Sequence, residues 1–303
     1  MIYFPNNDEE ISLLKFLSNY QYLSIYDTKY FFKSQWYYKK RISNLIEKEY
    51  IKKIQSYYVL DTSGIEFINY SNFPYNERNR NKKYQKRLMN ISHFAAFFYN
   101  SQNVKFKPSF DIKDSEILTS MSRRYIGKAN INDYEYLIYY IQNIKDIKYI
   151  TSVIFDIQKE RNYKNIIIIL ENISQIDINN FTFGLNSVLL INNSEIDKEK
   201  LNHLHNINWY KVVQTYYKNS VYLADYNFCD YTDYKNKYIS YFYFVDTEKI
   251  NRIKYFLREN KDKEYVIICP ANIKPNLQKE LPSAKFIEIA LEDYIEKEQR
   301  TYS

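Results

Sequence analysis

Lys39, Lys40 and Arg41 stand in a row, with Lys33 before them and Lys48, Lys52 and Lys53 after. Side chains of these types neutralise phosphates and release condensed counterions, the main driving force for sequence-independent binding to nucleic acid. Only Glu47 and Glu49 oppose them. Ser34, Gln35, Trp36 and Tyr37 precede the row. Their hydroxyl, amide and aromatic groups suit base edges or sugars. A second basic run, Arg78, Arg80, Lys82, Lys83, Lys86 and Arg87, contains no acid and could track another stretch of phosphate backbone. A solvated face with no partner would carry the same charges, so the elements that hold them decide between the two.

Candidates for catalysis are sparser. Asp111-Ile112-Lys113 has the acid-x-Lys spacing of a metal-dependent nuclease, and Asp133 and Glu135 flank a strand-like segment. In a chain with 43 basic and 36 acidic residues such spacing also arises by chance. Three glycines, Gly64, Gly127 and Gly184, exclude a Gly-rich phosphate loop. His203 and His205 would point to different sides of a helix, and His93 reads as a half-buried helix residue. Cys229 and Cys269 are too few for a disulfide scaffold or a four-cysteine zinc site and read as buried thiols. No Ser or Thr has a Gly-bounded elbow, and none of the 35 tyrosines stands out as a nucleophile. No catalytic residue, metal or cofactor is therefore expected. A degenerate restriction-like nuclease using Asp111 and Lys113 is the alternative from another class.

The chain has 303 residues, room for about two domains of ~150 residues each. Hydrophobic residues make up 45%, enough for a sizeable core and too many for a disordered chain. Net charge is +7, and residues 1–90 hold fifteen basic against nine acidic residues, a balance of +6. The excess thus sits in the first third, which points to an acidic partner, nucleic acid being the commonest. Ile, Asn, Lys and Tyr dominate, residues with AT-rich codons, as in low-GC bacteria and their mobile elements. No run of about 18 apolar residues exists, so no membrane span is expected. The N-terminus, MIYFPNNDEE, lacks a basic segment followed by an apolar one, so the chain reads as cytoplasmic.

Residues 8–75 have the order helix, helix, basic helix, two short strands, closing helix. The first helix is expected from Asp8 to Asn19, with Ile11, Leu14, Phe16 and Leu17 at helical spacing. Ser24 would cap a second over Ile25 to Phe32, and Ser34 a third over Gln35 to Glu49. Ile42, Leu45 and Ile46 would form the buried stripe of the third, with its basic residues opposite. Ile51 to Ile54 and Ser56 to Leu60 read as strands, and Asp61 opens the closing helix. Leu45-Ile46, Tyr50-Ile51, Tyr57-Tyr58-Val59-Leu60 and Thr62-Ser63-Gly64 together resemble the bacterial winged-helix pattern. In that pattern a Leu pair ends a helix, a wing follows, and a Tyr-x-Leu-Thr-x-x-Gly step opens the next helix. Glu47-Lys48-Glu49 stands where a Gly usually precedes the wing. Within that group, the layout of a winged helix followed by an α/β domain is similar to the replication-relaxation family of plasmids and integrative elements.

From residue 104 onward strand-like and helix-like segments alternate. Strands are expected at Val104 to Phe110, Tyr134 to Ile141, Asn165 to Leu170, Ser187 to Ile191, Tyr238 to Val245, Tyr265 to Cys269 and Lys285 to Ile289. Helices are expected at Tyr84 to Ser101, Asp146 to Gln158, Ile196 to His205 and Lys249 to Arg258, with a charged tail from Glu292 to Ser303. The fold class is α/β (α+β overall): a winged helix at 1–75, a basic linker and connector helix at 76–103, and a larger α/β domain with a mixed or partly parallel sheet at 104–303. The resemblance implies a sequence-specific protein for double-stranded DNA, acting in replication or conjugative DNA processing by recognising a site and assembling partners. A transcriptional regulator whose C-terminal domain senses a ligand or dimerises is a third expectation. Homo-oligomers and partner proteins are expected; a membrane is not.

Overall fold

The structure is a computed structural model that describes residues 5, 7–34, 36–75, 82–112, 124–160, 162–217 and 220–290. Gln35, Arg78, Arg80, Lys113 and the tail from Glu292 to Ser303 lie outside the described residues. The fold is mixed α and β, and the chain divides into two compact units, Met1–Pro108 and Ser109–Ser303.

The first unit begins with α1 (Asp8–Tyr20), whose N-terminus is capped by Asn7 accepting from the Glu9 N–H. Asp8, Glu9 and Glu10 occupy its first turn, where carboxylates complement the helix dipole. Then come β1 (Leu23–Ser24), a 3-10 turn (Thr28–Phe31), α2 (Tyr38–Glu47), β2 (Ile51–Ile54), β3 (Tyr57–Leu60), α3 (Thr62–Tyr70), α4 (Lys82–Phe97) and β4 (Val104–Pro108). β1, β3 and β2 form an antiparallel sheet in that order, with Leu23 opposite Tyr58 and Ile51 opposite Leu60. Leu13, Leu14, Leu17, Ile42, Leu45, Tyr50, Ile51 and Phe67 build one core between helices and sheet.

Two local expectations fail here. No helix forms over Ile25 to Phe32: Ser24 is spent in the sheet opposite Tyr57, its hydroxyl accepts from the Tyr26 N–H, and the short aromatic run closes only one 3-10 turn. The third helix begins at Tyr38 rather than Gln35, and Ile46 is 39% exposed, while Tyr50 joins Ile42 and Leu45 in the core.

The connector helix is part of the first unit. α4 carries Leu88, Ile91 and Phe94 as a buried stripe that Phe98 continues just past its end, and Ala95 and Ala96 enter the same core as α1 and β2. Its Ser92 hydroxyl donates to the Tyr22 carbonyl, and His93 Nδ1 lies 2.7 Å from Oδ2 of the buried Asp27. An apolar stripe of that length needs a surface to cover it, so the division falls at residue 108 rather than at 75 or 103.

The second unit holds two sheets over one core. β5 (Tyr125–Ile131) and β6 (Tyr134–Ile141) form a hairpin; β6, β7 (Asn165–Leu170) and β8 (Ser187–Asn192) run parallel, and β12 (Val245–Asp246) closes antiparallel on β8. The other sheet has the order β14 (Lys285–Ile289), β13 (Tyr265–Pro270), β11 (Tyr238–Tyr241), β10 (Cys229–Asp233), β9 (Val221–Tyr226). β14, β13 and β11 are parallel, while β10 and β9 are antiparallel. α5 (Ile147–Lys159), α6 (Glu195–Leu201), α7 (Trp209–Tyr217), α8 (Thr247–Glu259) and α9 (Lys274–Glu280) complete the unit. The single strand expected over Tyr238 to Val245 is two, one in each sheet, parted by the buried Phe242, Tyr243 and Phe244. Among the described residues no helix is long and apolar enough to cross a membrane.

Candidate nucleic-acid interface

α2 turns Ile42 and Leu45 into the core and leaves Lys39 and Lys40 exposed. Its N-terminal approach is aromatic: Trp36 is 92% exposed and Tyr37, at the N-cap position, 65%. Lys33 and Ser34 before them are also exposed. β2 buries Ile51 and leaves Lys52, Lys53 and Ile54 outward, so the hairpin with β3 carries cations on its outer strand.

The turn between α2 and β2 is tight without a glycine. Glu49 takes the left-handed conformation at φ 59°, donates its N–H to Ile46 O (3.0 Å), and the next N–H, of Tyr50, reaches Leu45 O (2.9 Å). This paired closure satisfies the last carbonyls of the helix and sets Tyr50 against Leu45 in the core. At the far end of the hairpin, Gln55 turns the chain with φ 55°. The Gly64 of the closing step has a physical role. A Cβ there would lie 2.0 Å from the Tyr50 carbonyl oxygen, so only glycine lets α3 approach the start of β2.

Not every predicted cation is available to a partner. Arg41 is half-buried: its Nη1 lies 2.5 Å from Glu9 Oε2, while Glu9 Oε1 accepts from the Lys33 N–H at 2.8 Å. Glu9 of α1 thus clamps α2 and its approach, and Arg41 is a brace. Lys52 donates to Asp61 Oδ1 at 2.8 Å, and that bond, with the Thr62 N–H, holds the Asp61 carboxyl below its ordinary value. Lys48 is exposed beside Glu47 and Glu49. Of the second run, Lys82 is exposed on the first turn of α4 and Lys83 lies on the same turn. The exposed cations of the predicted set that form no ion pair among the described residues are therefore Lys33, Lys39, Lys40, Lys53 and Lys82.

The second unit has other polar groups. Asp111 is exposed, Asp133 sits in the β5–β6 turn at φ 69°, and Glu135 pairs with Lys128 at 3.3 Å. Among the described residues no three His, Cys, Asp or Glu side chains come together to hold a metal. His205 Nε2 is 2.6 Å from the Tyr136 hydroxyl, and its ring stacks on Tyr134; burial lowers its pKa. Cys229 and Cys269 are buried, which pushes each thiol up to about 12. Sequence reasoning missed a cavity of about 730 Å³ at the carboxyl ends of β8, β13 and β14, where the parallel strands of both sheets end. Asn192 donates to Asp197 Oδ2 at 3.0 Å, and Lys200 lies 3.8 Å from Asp197 Oδ1, so its polar groups satisfy one another. The lining of the cavity comes from three stretches far apart in sequence, at 192–200, 270–272 and 288–290, so no local pattern marks it.

No protein family, no curated protein and no solved structure matches this chain.

Proposed function

We propose that the first unit is a winged helix that binds double-stranded DNA, with α2 entering the major groove and the β2–β3 hairpin reaching the flanking backbone. One observation carries this reading. Lys39 and Lys40 on α2 and Lys53 on β2 are exposed on consecutive elements, while the carboxylates of Glu9 and Asp61 are engaged by Arg41 and Lys52. Among the described residues Lys39, Lys40 and Lys53 form no ion pair, and exposed lysines of that kind are what phosphate contact needs. Ser34, Trp36 and Tyr37 are exposed just before α2, and in this reading they contact bases or sugars. The resemblance to the replication-relaxation family supports a role at a site of a plasmid, phage or integrative element, in replication or conjugative processing. The second unit then holds partners there rather than catalysing a reaction.

Titration of the full chain with duplex DNA tests this. Replacing Lys39 and Lys40 with Ala should weaken binding and lower the slope of log affinity against log salt by about two. Wild-type protein that binds no duplex at low salt would refute the reading. Unchanged affinity in the double variant would move the interface off α2.

A further inference from the structure

The segment that leads into α2 gathers aromatic and cationic side chains in solvent. Lys33, Ser34, Trp36, Tyr37, Lys39 and Lys40 are all exposed. Trp36 is 92% exposed, and among the described residues it makes no hydrogen bond or ring contact. The other tryptophan, Trp209 in the second unit, is stacked on Tyr241 with ring centroids 4.2 Å apart. An indole left wholly in solvent contributes little to the fold, so its flat face is available to a ligand. Bases of an intact duplex offer a side chain in the groove only their edges, since their faces are covered by their neighbours in the stack. An indole has a single N–H to offer those edges. The face of an unpaired base is free to lie on an aromatic ring, while cations beside the ring hold the phosphates of the same strand.

We propose that Trp36 stacks on an unpaired base, so that the preferred ligand of the α2 interface is duplex DNA adjoining a single strand; this rests on the duplex-binding reading of the first unit. Residues at the N-terminal end of a recognition helix are the ones that reach base edges. Trp36 stands on a turn just before Tyr38, the first residue of α2. In that docking its ring arrives where a base that has left its pair would sit. Lys33 before it and Lys39 and Lys40 after it supply the cations that follow the backbone of that strand. Tyr37, 65% exposed, offers a second ring to the next base. Stacking of this kind accepts any base, because every base has a face, so the preference is for the structure of the DNA and not for its sequence.

Fluorescence titration of the full chain tests this with a blunt duplex, the same duplex carrying an unpaired tail at either end, and one whose tail is abasic. The tailed duplex should bind about tenfold more tightly than the blunt one and quench the emission of Trp36. The abasic tail adds the same phosphates without bases and should gain less than about twofold. Trp36→Phe keeps a ring: it should retain most of the preference and lose the quenching, which assigns the signal to Trp36 rather than Trp209. Trp36→Ala should bring the tailed and blunt affinities to within about twofold of each other. Far-UV circular dichroism checks that both variants are folded. A blunt duplex bound as tightly as the tailed one overturns the proposal and leaves the duplex-binding reading standing, whereas no binding of any duplex at low salt refutes both. A tail preference that survives in Trp36→Ala, or that the abasic tail matches, also overturns it, since phosphates alone would then account for the gain.

Discussion

Arg41 and Lys40 are neighbours in sequence and opposites in role. Arg41 is held by Glu9 and lies over the Phe32 ring, whereas Lys40 is exposed. Arg41→Ala should lower stability by about 1 kcal/mol, the range for a half-exposed ion pair with some packing. Lys40→Ala should change it by less than about 0.5 kcal/mol and act on DNA affinity instead. Chemical denaturation of both variants, beside DNA titration, separates the two roles. Equal stability loss would contradict the assignment. Sequence alone made Lys39, Lys40 and Arg41 one row, because a run of like residues does not show that a carboxylate 32 positions earlier takes one of them. Trp36 and Tyr37 could be read as exposed only once α2 was seen to start after them.

Two backbone positions set how α2, the hairpin and α3 meet. Glu49 is strained in its left-handed conformation, and Glu49→Gly should stabilise the protein by about 0.5 kcal/mol after the entropy that glycine adds to the unfolded chain. Gly64→Ala should cost about 2 kcal/mol or more, because the new Cβ meets the Tyr50 carbonyl. Shifts of unfolding midpoint in denaturant check both signs. Asp61, the N-cap of α3, gives a third test. Its folded pKa is depressed, so its contribution is present above the unfolded value of about 3.9 and is lost as pH falls through the folded value. Asp61→Asn, which keeps a capping oxygen without a charge, should flatten the loss of stability below about pH 4. The elements best legible in the sequence were those with strong local signals. β7 and β8 are continuous β-branched or aliphatic runs, and α8 follows an Asp246 that accepts from the Glu248 and Lys249 N–H groups. β5 was missed although Asn132 and Asp133, both at positive φ, form the two-residue turn that joins it to β6. β9 was missed because an edge strand exposed on both faces has no alternation to read. α7 and α9 are short helices of nine and seven residues, and tertiary contact rather than propensity holds such lengths.

At the scale of the molecule, the charge excess of residues 1–90 does not show where the unit ends. A fragment ending at 90 would cut α4 within its buried stripe, and the structural boundary lies at 108. Two sheets replace the one expected in the second unit because the chain leaves β11 at Phe242 and enters the other sheet at Val245, a switch that no periodicity reveals. Phosphate contact by the first unit is the proposal on which the molecule's function turns. The most direct measurement is the affinity of the full chain for duplex DNA across a salt series. Contacts from Lys33, Lys39, Lys40 and Lys53 predict that log affinity falls against log salt with a slope of about −3 to −4. A slope near zero, or no binding at low salt, would contradict it.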